Sequence, residues 1–330
     1  MLRLMSPDVW TALRGRSIFI TGGTGFVGKW LLEGLLHAER ELALGLHLTI
    51  LTRNPSAFER ASPHLAASPV VALLQGDVAD FVFPARRYDY VIHAALPVAA
   101  PSTSADGGVL CNMAVAGAQH VCELAVATGA KQLLHVSSGA VYGPRTSADA
   151  LGEESTWTTP EGINEYTRAK RESEALVRDH DWPFAVVVAR CFAFLGPYLL
   201  STSGSAAADF IERAARGDDI VIRGAGDVVR SYQYAGDMAR WLLTCLVNGQ
   251  AGRAYNIGSD APVSIAELAK QTARIAEMGS HVNVMGGAAP GLAGKHYVPS
   301  VGRATEELGL TNAVGLDEGL RRTLRWRSNI

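Results

Sequence analysis

The sequence of 330 residues has few cysteines, little net charge and no long uninterrupted apolar run. Its four cysteines (Cys111, Cys122, Cys191 and Cys245) form no CxxC pair and no metal-like spacing with histidine. That scarcity predicts no metal site and buried free thiols in a reducing compartment. The net charge of −2, without a basic run, gives no electrostatic footprint for nucleic acid.

Charged side chains interrupt residues 1–16, so no signal-peptide pattern begins the chain. The apolar stretch Pro183–Leu200 contains Arg190 and Pro197 and therefore cannot span a bilayer. We expect a cytoplasmic protein without a membrane partner. Hydrophobic residues at 48% and charged residues at 19% are ordinary for a folded globular chain.

Short apolar runs alternate with helical segments through the first 190 residues, and the runs lack in/out alternation. Such runs indicate strands buried on both faces, and strand–helix–strand repetition predicts crossover units. We therefore predict an α/β fold with a doubly wound parallel sheet of the Rossmann type. The predicted strands are Ser17–Ile20, Leu48–Thr52, Val70–Leu74, Tyr90–His93, Gln132–Val136 and Ala185–Ala189, with helices at Gly28–Leu44, Asn112–Thr128 and Tyr166–Asp179.

The alternation of apolar runs and helical segments becomes less regular after residue 190. This change predicts a nucleotide-binding domain over 1–190 and a smaller α/β lobe over most of 191–330. Parts of 225–260 are expected to return to the first domain. Because ligands of open α/β sheets bind at the carboxyl ends of the strands, we expect this lobe to close over the crevice and hold the substrate. Its predicted helices are Ala206–Arg216, Gly236–Val247, Ile265–Glu277 and Leu316–Arg327, with strands at Ile220–Ile222 and Ala254–Ile257.

A glycine-rich turn follows the first predicted strand in Ser17–Gly28. Gly22 permits a tight turn, Gly25 lets a pyrophosphate approach the backbone, and Gly28 lets helix and strand pack closely. Amides at the start of the helix then face the anion. This arrangement predicts a dinucleotide site.

The end of the second strand decides which dinucleotide is preferred. An enzyme selective for NAD usually has a carboxylate there that binds the ribose 2′-hydroxyl. This chain instead has Thr52, Arg53 and Asn54 at that place. Arg53 is able to pair with a 2′-phosphate. A solvent-facing Arg53 beside bound NAD remains the alternative, so NADP is only slightly favoured.

Tyr166 and Lys170 are four residues apart, on one face of a predicted helix. A tyrosine with a pKa of about 10 is a poor base at neutral pH. The lysine cation and the positive nicotinamide are expected to lower the pKa of Tyr166. Ser138, at the carboxyl end of a strand, is expected to hydrogen-bond the same substrate oxygen as Tyr166.

These motifs together resemble the extended short-chain dehydrogenase/reductase family, in its nucleotide-sugar epimerase/dehydratase branch. The resemblance covers nearly the whole chain. It rests on matches in order at Thr21–Gly28, Gly76–Val78, Val91–Ala95, Asn112, Ser137–Gly143, Tyr166–Lys170, Arg190, Gly196–Pro197, Arg230–Tyr234 with Asp237, and Tyr255–Gly258.

The resemblance implies a nicotinamide cofactor and a nucleoside-diphosphate sugar as substrate. It also implies a homodimer that forms on the predicted helices Asn112–Thr128 and Tyr166–Asp179. Ser138, Tyr166 and Lys170 are the implied catalytic residues, and Ser138, Tyr166 and Arg230 bind substrate, Arg230 at its diphosphate. The predicted cofactor-binding residues are Gly22, Thr24, Gly25, Phe26, Val27, Gly28, Arg53, Asp77, Val78, Ala94, Ala95, Leu96, Tyr166 and Lys170.

Two departures from the sequence pattern of this family narrow the range of expected reactions. Dehydratases and decarboxylases of this branch carry an acid directly after the catalytic hydroxyl residue, whereas Gly139 and Ala140 stand here. Ala193 also replaces an asparagine that many relatives place near the substrate diphosphate.

We therefore favour an epimerase that acts by transient oxidation of a sugar hydroxyl. The first alternative is an NADPH-dependent ketoreductase of a nucleotide keto-sugar. A 4,6-dehydratase, which would need a distant acid such as Glu153 or Glu165, and a non-catalytic NADP-binding sensor are weaker alternatives.

Overall fold

The apolar runs of the first half form the strands of one seven-stranded sheet in the computed structural model, which describes residues 2–96, 108–143, 163–200, 204–286 and 296–328. Six of its strands are β1 Ser17–Thr21, β2 His47–Thr52, β3 Val71–Gln75, β4 Tyr90–His93, β5 Gln132–Ser138 and β6 Ala185–Cys191, and the seventh is β11 Ala254–Ile257 from the second half of the chain. The strands of the smaller sheets are β7 Phe194–Leu195, β8 Ile220–Ile222, β9 Val229–Arg230, β10 Gln233–Tyr234, β12 Val263–Ser264, β13 Val282–Val284 and β14 His296–Tyr297.

The helices lie between these strands and after them. They are α1 Pro7–Leu13, α2 Phe26–Leu42, α3 Pro55–Ala61, α4 Pro63–Ala66, α5 Val109–Thr128, α6 Glu165–Asp179, α7 Ala206–Arg216, α8 Ala235–Asn248, α9 Ile265–Ala276, α10 Gly302–Leu308 and α11 Leu316–Arg327, with short 3₁₀ helices at Leu2–Leu4 and Gly139–Tyr142.

The large sheet has the strand order β11-β6-β5-β4-β1-β2-β3. All pairings from β6 to β3 are parallel. The order reverses between β1 and β4, which creates a crevice at their carboxyl ends where ligands of such sheets bind. The predicted Rossmann-type fold is confirmed.

Local signals set the ends of the helices that carry the site. Helix α6 begins at Glu165 because the Asn164 side chain accepts a hydrogen bond from the Thr167 amide at 2.8 Å, which caps the helix. Helix α5 ends at Thr128, where Gly129 turns into the left-handed region with φ 71°. Between these ends, α5 and α6 pack against each other beside the sheet.

An aromatic cluster fills the core beneath β1. The Phe19 ring lies 5.4 Å from that of Phe81 and 5.2 Å from that of Tyr88. The Tyr88 hydroxyl donates to the Thr49 hydroxyl at 3.0 Å, so the buried phenol is satisfied. This packing fixes β1 and the loop that follows β3.

Helix α5 is more apolar than the sequence analysis recognised. Val109–Thr128 is long and apolar enough to cross a membrane by length and composition, a test that core helices of soluble proteins also pass. Of its most apolar window, 44% is buried inside the protein, against α6 and the sheet. All four cysteines are free and buried, as predicted.

The chain divides into two compact units. Among the described residues, unit 1 takes 2–96, 108–143, 163–191 and 239–255, and unit 2 takes 192–200, 204–238, 256–286 and 296–328. Unit 2 contains three small sheets with the strand orders β10-β7, β12-β9-β14 and β13-β8.

Candidate active site

A cleft of about 470 Å³ lies in unit 1 where the order of strands reverses. Nine predicted cofactor residues line it, and they come from the loops after β1 to β4: Gly22, Thr24, Gly25, Arg53, Asp77, Val78, Ala94, Ala95 and Leu96. Phe26, Val27 and Gly28, which begin α2, are not among the lining residues.

The glycines of the turn are there because side chains would not fit. Gly22 has φ +70°, and a Cβ on it would lie 2.6 Å from the Ala94 carbonyl. A Cβ on Gly28 would lie 2.3 Å from the Gly22 carbonyl oxygen. The turn therefore brings bare backbone and the start of α2 to the cleft, which fits a dinucleotide diphosphate.

The charged residues of the cleft are unevenly distributed. Among its lining residues, Asp77 is the only acid, and its carboxylate accepts a hydrogen bond from the Ala79 amide at 3.1 Å. Two cations, Arg53 and Lys29, line the same cleft. The sequence analysis missed Lys29, although it directly follows Gly28 and burial lowers its pKa.

The predicted catalytic residues meet at the carboxyl end of β5. The Ser138 hydroxyl lies beside the Tyr166 phenol and acts to lower the pKa of that phenol. Ser138 also accepts from the Ala140 amide at 3.1 Å, which fixes its side chain at the start of the 3₁₀ turn. The residue Tyr166 is 37% exposed as a whole, although burial acts on its phenol.

Lys170 lies one helical turn after Tyr166 and is buried. Its ammonium donates to the Val136 carbonyl at 2.9 Å, which ties α6 to β5. Burial lowers the pKa of Lys170 to about 8, while the neighbouring Cys191 and Glu174 oppose that shift. The side chain is thus still mainly protonated at pH 7.

In the polypeptide by itself, burial raises the pKa of Tyr166, and the neighbouring Ser138 hydroxyl only partly offsets this. The physical reason is that loss of hydration penalises the phenolate more than one hydroxyl donor stabilises it. That Lys170 and the positive nicotinamide together lower the pKa of Tyr166 stays a prediction.

Arg230 lies in unit 2, on β9, and lines a cavity of about 960 Å³. Its guanidinium lies 5.6 Å from the centre of the Tyr297 ring, and it donates to the Val229 carbonyl at 2.8 Å. Arg213 and Arg223 line the same cavity. Ala193 lines it as well, so the missing asparagine leaves space here.

Comparisons with known proteins identify the family of this chain. Residues 18–258 match the model of the NAD dependent epimerase/dehydratase family. The chain belongs to this family. It is 25% identical over 312 residues to UDP-glucuronic acid decarboxylase 1 of Arabidopsis thaliana, covering 92% of this chain and 68% of the relative.

Solved structures are similar in fold. UDP-glucose 4-epimerase of Thermotoga maritima, in a structure with UDP-glucose, gives a TM-score of 0.81 at 21% identity, with 95% of this chain and 99% of that chain covered. UDP-glucuronic acid 4-epimerase of Bacillus cereus, in complex with UDP-glucuronic acid and NAD, gives 0.79 at 19% identity with the same coverage. The predicted family resemblance is confirmed.

The acid that family dehydratases carry after the hydroxyl residue has no counterpart here. Gly139, which is buried, and Ala140, which is partly exposed, form the start of the 3₁₀ turn and have no ionisable side chain. Glu165 is occupied elsewhere, because its carboxylate accepts from the Leu110 amide at 2.8 Å and caps α5. Glu153 lies outside the described residues.

The structure thus brings together Ser138, Tyr166 and Lys170, and it gathers nine of the cofactor residues around one cleft. Arg230 belongs to a separate cavity of unit 2. Sequence reasoning missed Lys29, and it missed the buried Glu174 that follows Lys170 by one turn. The spacing of Tyr166, Lys170 and Glu174 along one helix face was the available signal for Glu174.

Proposed function

We propose that this chain is an NAD(P)-dependent nucleotide-sugar epimerase in which Tyr166 acts as the base. The observation that carries the proposal is the placement of Ser138 beside Tyr166, one helical turn before the buried Lys170, with no acid at 139 or 140. This set is equipped to move one proton to and from a sugar hydroxyl. It lacks the group that would protonate a leaving hydroxyl.

The side chains divide the work as follows. Ser138 and Tyr166 bind the reacting sugar hydroxyl. Tyr166 accepts the proton of that hydroxyl, holds it while the keto-sugar rotates to present its other face, and returns it to the same oxygen. Lys170 holds the nicotinamide ribose. The bound dinucleotide supplies reversible hydride acceptance, so the net reaction consumes no oxidant.

Gly22 and Gly25 would hold the dinucleotide's diphosphate against backbone amides, and Asp77 and Val78 would lie at its adenine. Arg230 would pair with the diphosphate of the sugar nucleotide, for which a planar guanidinium is well suited. The aromatic and apolar lining of the Arg230 cavity supports a nucleoside as the neighbouring part of the ligand.

A one-way ketoreductase on a nucleotide keto-sugar is the second candidate. The observation in its favour is the pair of cations, Lys29 and Arg53, in a cleft where Asp77 is the only acid among the described lining residues. Such a lining favours the phosphorylated ribose of NADP, and exchangeable NADPH is what a reductase consumes. We propose NADP as the slightly preferred cofactor.

Cofactor retention separates the two candidates. The purified protein is denatured, and the released nucleotide is identified by chromatography and mass spectrometry. A stoichiometric oxidised dinucleotide, together with inversion of UDP-glucose or UDP-glucuronic acid without added cofactor, supports the epimerase. Protein without bound nucleotide that consumes NADPH only with a 4-keto sugar nucleotide supports the reductase.

A further inference from the structure

A buried polar network joins the catalytic helix to two strands of the sheet. Glu174 on α6 is fully buried, and Arg190 on β6 is 3% exposed. The Arg190 guanidinium donates to the Glu174 carboxylate from Nη2 at 2.5 Å and from Nε at 3.1 Å. On the other side, the Ser137 hydroxyl of β5 donates to Glu174 at 2.7 Å.

Besides Arg178 on its own helix, 3.7 Å away, the partners of Glu174 link it to the surroundings of the catalytic groups. Ser137 directly precedes Ser138, and Glu174 follows Lys170 by one turn and Tyr166 by two. Arg190 also donates to the Tyr142 hydroxyl at 3.0 Å, at the end of the 3₁₀ turn that Ser138 caps. Movement of Glu174 would therefore shift α6, the end of β5 and that turn relative to one another.

We propose that Glu174 is a positioning residue for the reaction: held by Arg190 and Ser137, it fixes the face of α6 that carries Tyr166 and Lys170 against the end of β5 that carries Ser138. The inference rests on the proposed roles of Tyr166 and Lys170. A buried ion pair with both partners hydrogen-bonded contributes little net stability but defines one geometry when each polar atom is satisfied.

The charge of Glu174 has a second effect, on Lys170. The groups that face Lys170 are His93 on β4, His135 on β5, Cys191 on β6 and Glu174 on its own helix. Burial lowers the pKa of both histidines, so they are neutral at pH 7, and burial raises the pKa of Cys191 to about 12, so its thiol is protonated. Among these groups Glu174 is the carboxyl side chain that favours protonated Lys170.

Glu174→Gln tests the proposal, because glutamine keeps the shape and an acceptor for Ser137 but removes the charge. Glu172→Gln is the matched control: it removes one carboxylate from the exposed face of the same helix. We measure turnover and KM with UDP-glucuronic acid or whichever sugar nucleotide the wild type inverts, the thermal midpoint, and NADPH binding by fluorescence between pH 6 and 10.

For Glu174→Gln we expect kcat to fall about 10²-fold, the scale of a misplaced catalytic group, with KM little changed. Because burial lowers the pKa of Lys170 to about 8, we expect NADPH binding by the wild type to weaken as pH rises through that value. In the variant the same weakening should occur at lower pH. Glu172→Gln should resemble the wild type in both assays. Ser137→Ala, which leaves the ion pair intact, should lower kcat by a smaller factor.

A lower thermal midpoint with wild-type kcat and an unchanged pH midpoint of NADPH binding would overturn the proposal and leave Glu174 a structural residue. If Glu174→Gln does not fold, Ser137→Ala decides: wild-type kcat in that variant overturns the proposal. Failure of the proposed function is separately visible, because full turnover in Tyr166→Phe would reject Tyr166 as the base whatever Glu174 does to NADPH binding.

Discussion

Arg53→Ala tests which dinucleotide the cleft is built to hold. Arg53 follows β2, the position where an NAD-selective site has a carboxylate, and it lines the cleft with Lys29 and one acid, Asp77. If Arg53 pairs with a 2′-phosphate, its removal takes away a hydrogen bond between two charged groups. NAD has no phosphate at that oxygen and should be insensitive to the change.

The size of the effect follows from the exposure of the site. Hydrogen bonds to charged groups contribute about 1.5–3 kcal/mol, and the Arg53 side chain is exposed, which places this interaction near the lower end because water and salt screen it. A loss of about 1.5 kcal/mol corresponds to a roughly tenfold weaker Kd. The effect should shrink as ionic strength rises.

The assay is a fluorescence titration of NADPH and NADH against wild type, Arg53→Ala and Arg60→Ala at low and high salt. Arg60 is a matched control, since it is an exposed arginine on α3 that does not line the cleft. We expect a roughly tenfold loss for NADPH with Arg53→Ala alone. Equal weakening of NADPH and NADH, or no change in either, would refute the assignment of Arg53 to a 2′-phosphate.

Three further predictions concern the base, the turn and the assembly. Tyr166→Phe should keep NADPH binding but lower kcat by about 10²–10⁴-fold, the range for acid–base catalysis; near-wild-type kcat would exclude Tyr166. Gly28→Ala should lower the free energy of unfolding by about 1–3 kcal/mol through overpacking and lower the thermal midpoint. Gly315→Ala, with open space around the new Cβ, should leave the midpoint unchanged. Equal midpoints for the two variants would contradict the steric argument. Because α5 exposes Met113 and Val126, light scattering at micromolar concentration should show a homodimer that Met113→Glu weakens; a wild-type monomer would reject this.

The sheet could be predicted because its strands are continuous apolar runs. The predicted Tyr90–His93 is observed without change, and predicted Ser17–Ile20 gains only Thr21. Helix α2 begins at Phe26 rather than Gly28, since Gly25 with extended backbone already acts as its cap. The short helices α3 and α4 were missed because each is only one or two turns long and has no apolar period to detect.

The candidate site was predictable only where its residues are close in sequence or fall in a known motif. Tyr166 and Lys170 lie on one helix turn, and the glycine turn is contiguous. The network of Ser137, Glu174 and Arg190 joins three separate segments, so no local pattern reveals it. The raised pKa of Tyr166 depends on burial, which spacing along a helix does not specify.

The product formed from sugar nucleotides tests the central proposal most directly. The purified enzyme is incubated with glucose- and mannose-type nucleotides and with UDP-glucuronic acid, and products are examined by mass spectrometry and proton NMR, with Tyr166→Phe as the control. We predict a product of unchanged mass with one inverted carbon, formed by the wild type and almost absent with the variant. A product that has lost water or carbon dioxide, formed at ordinary catalytic rates, would contradict the account, because Gly139 and Ala140 offer no acid for either reaction.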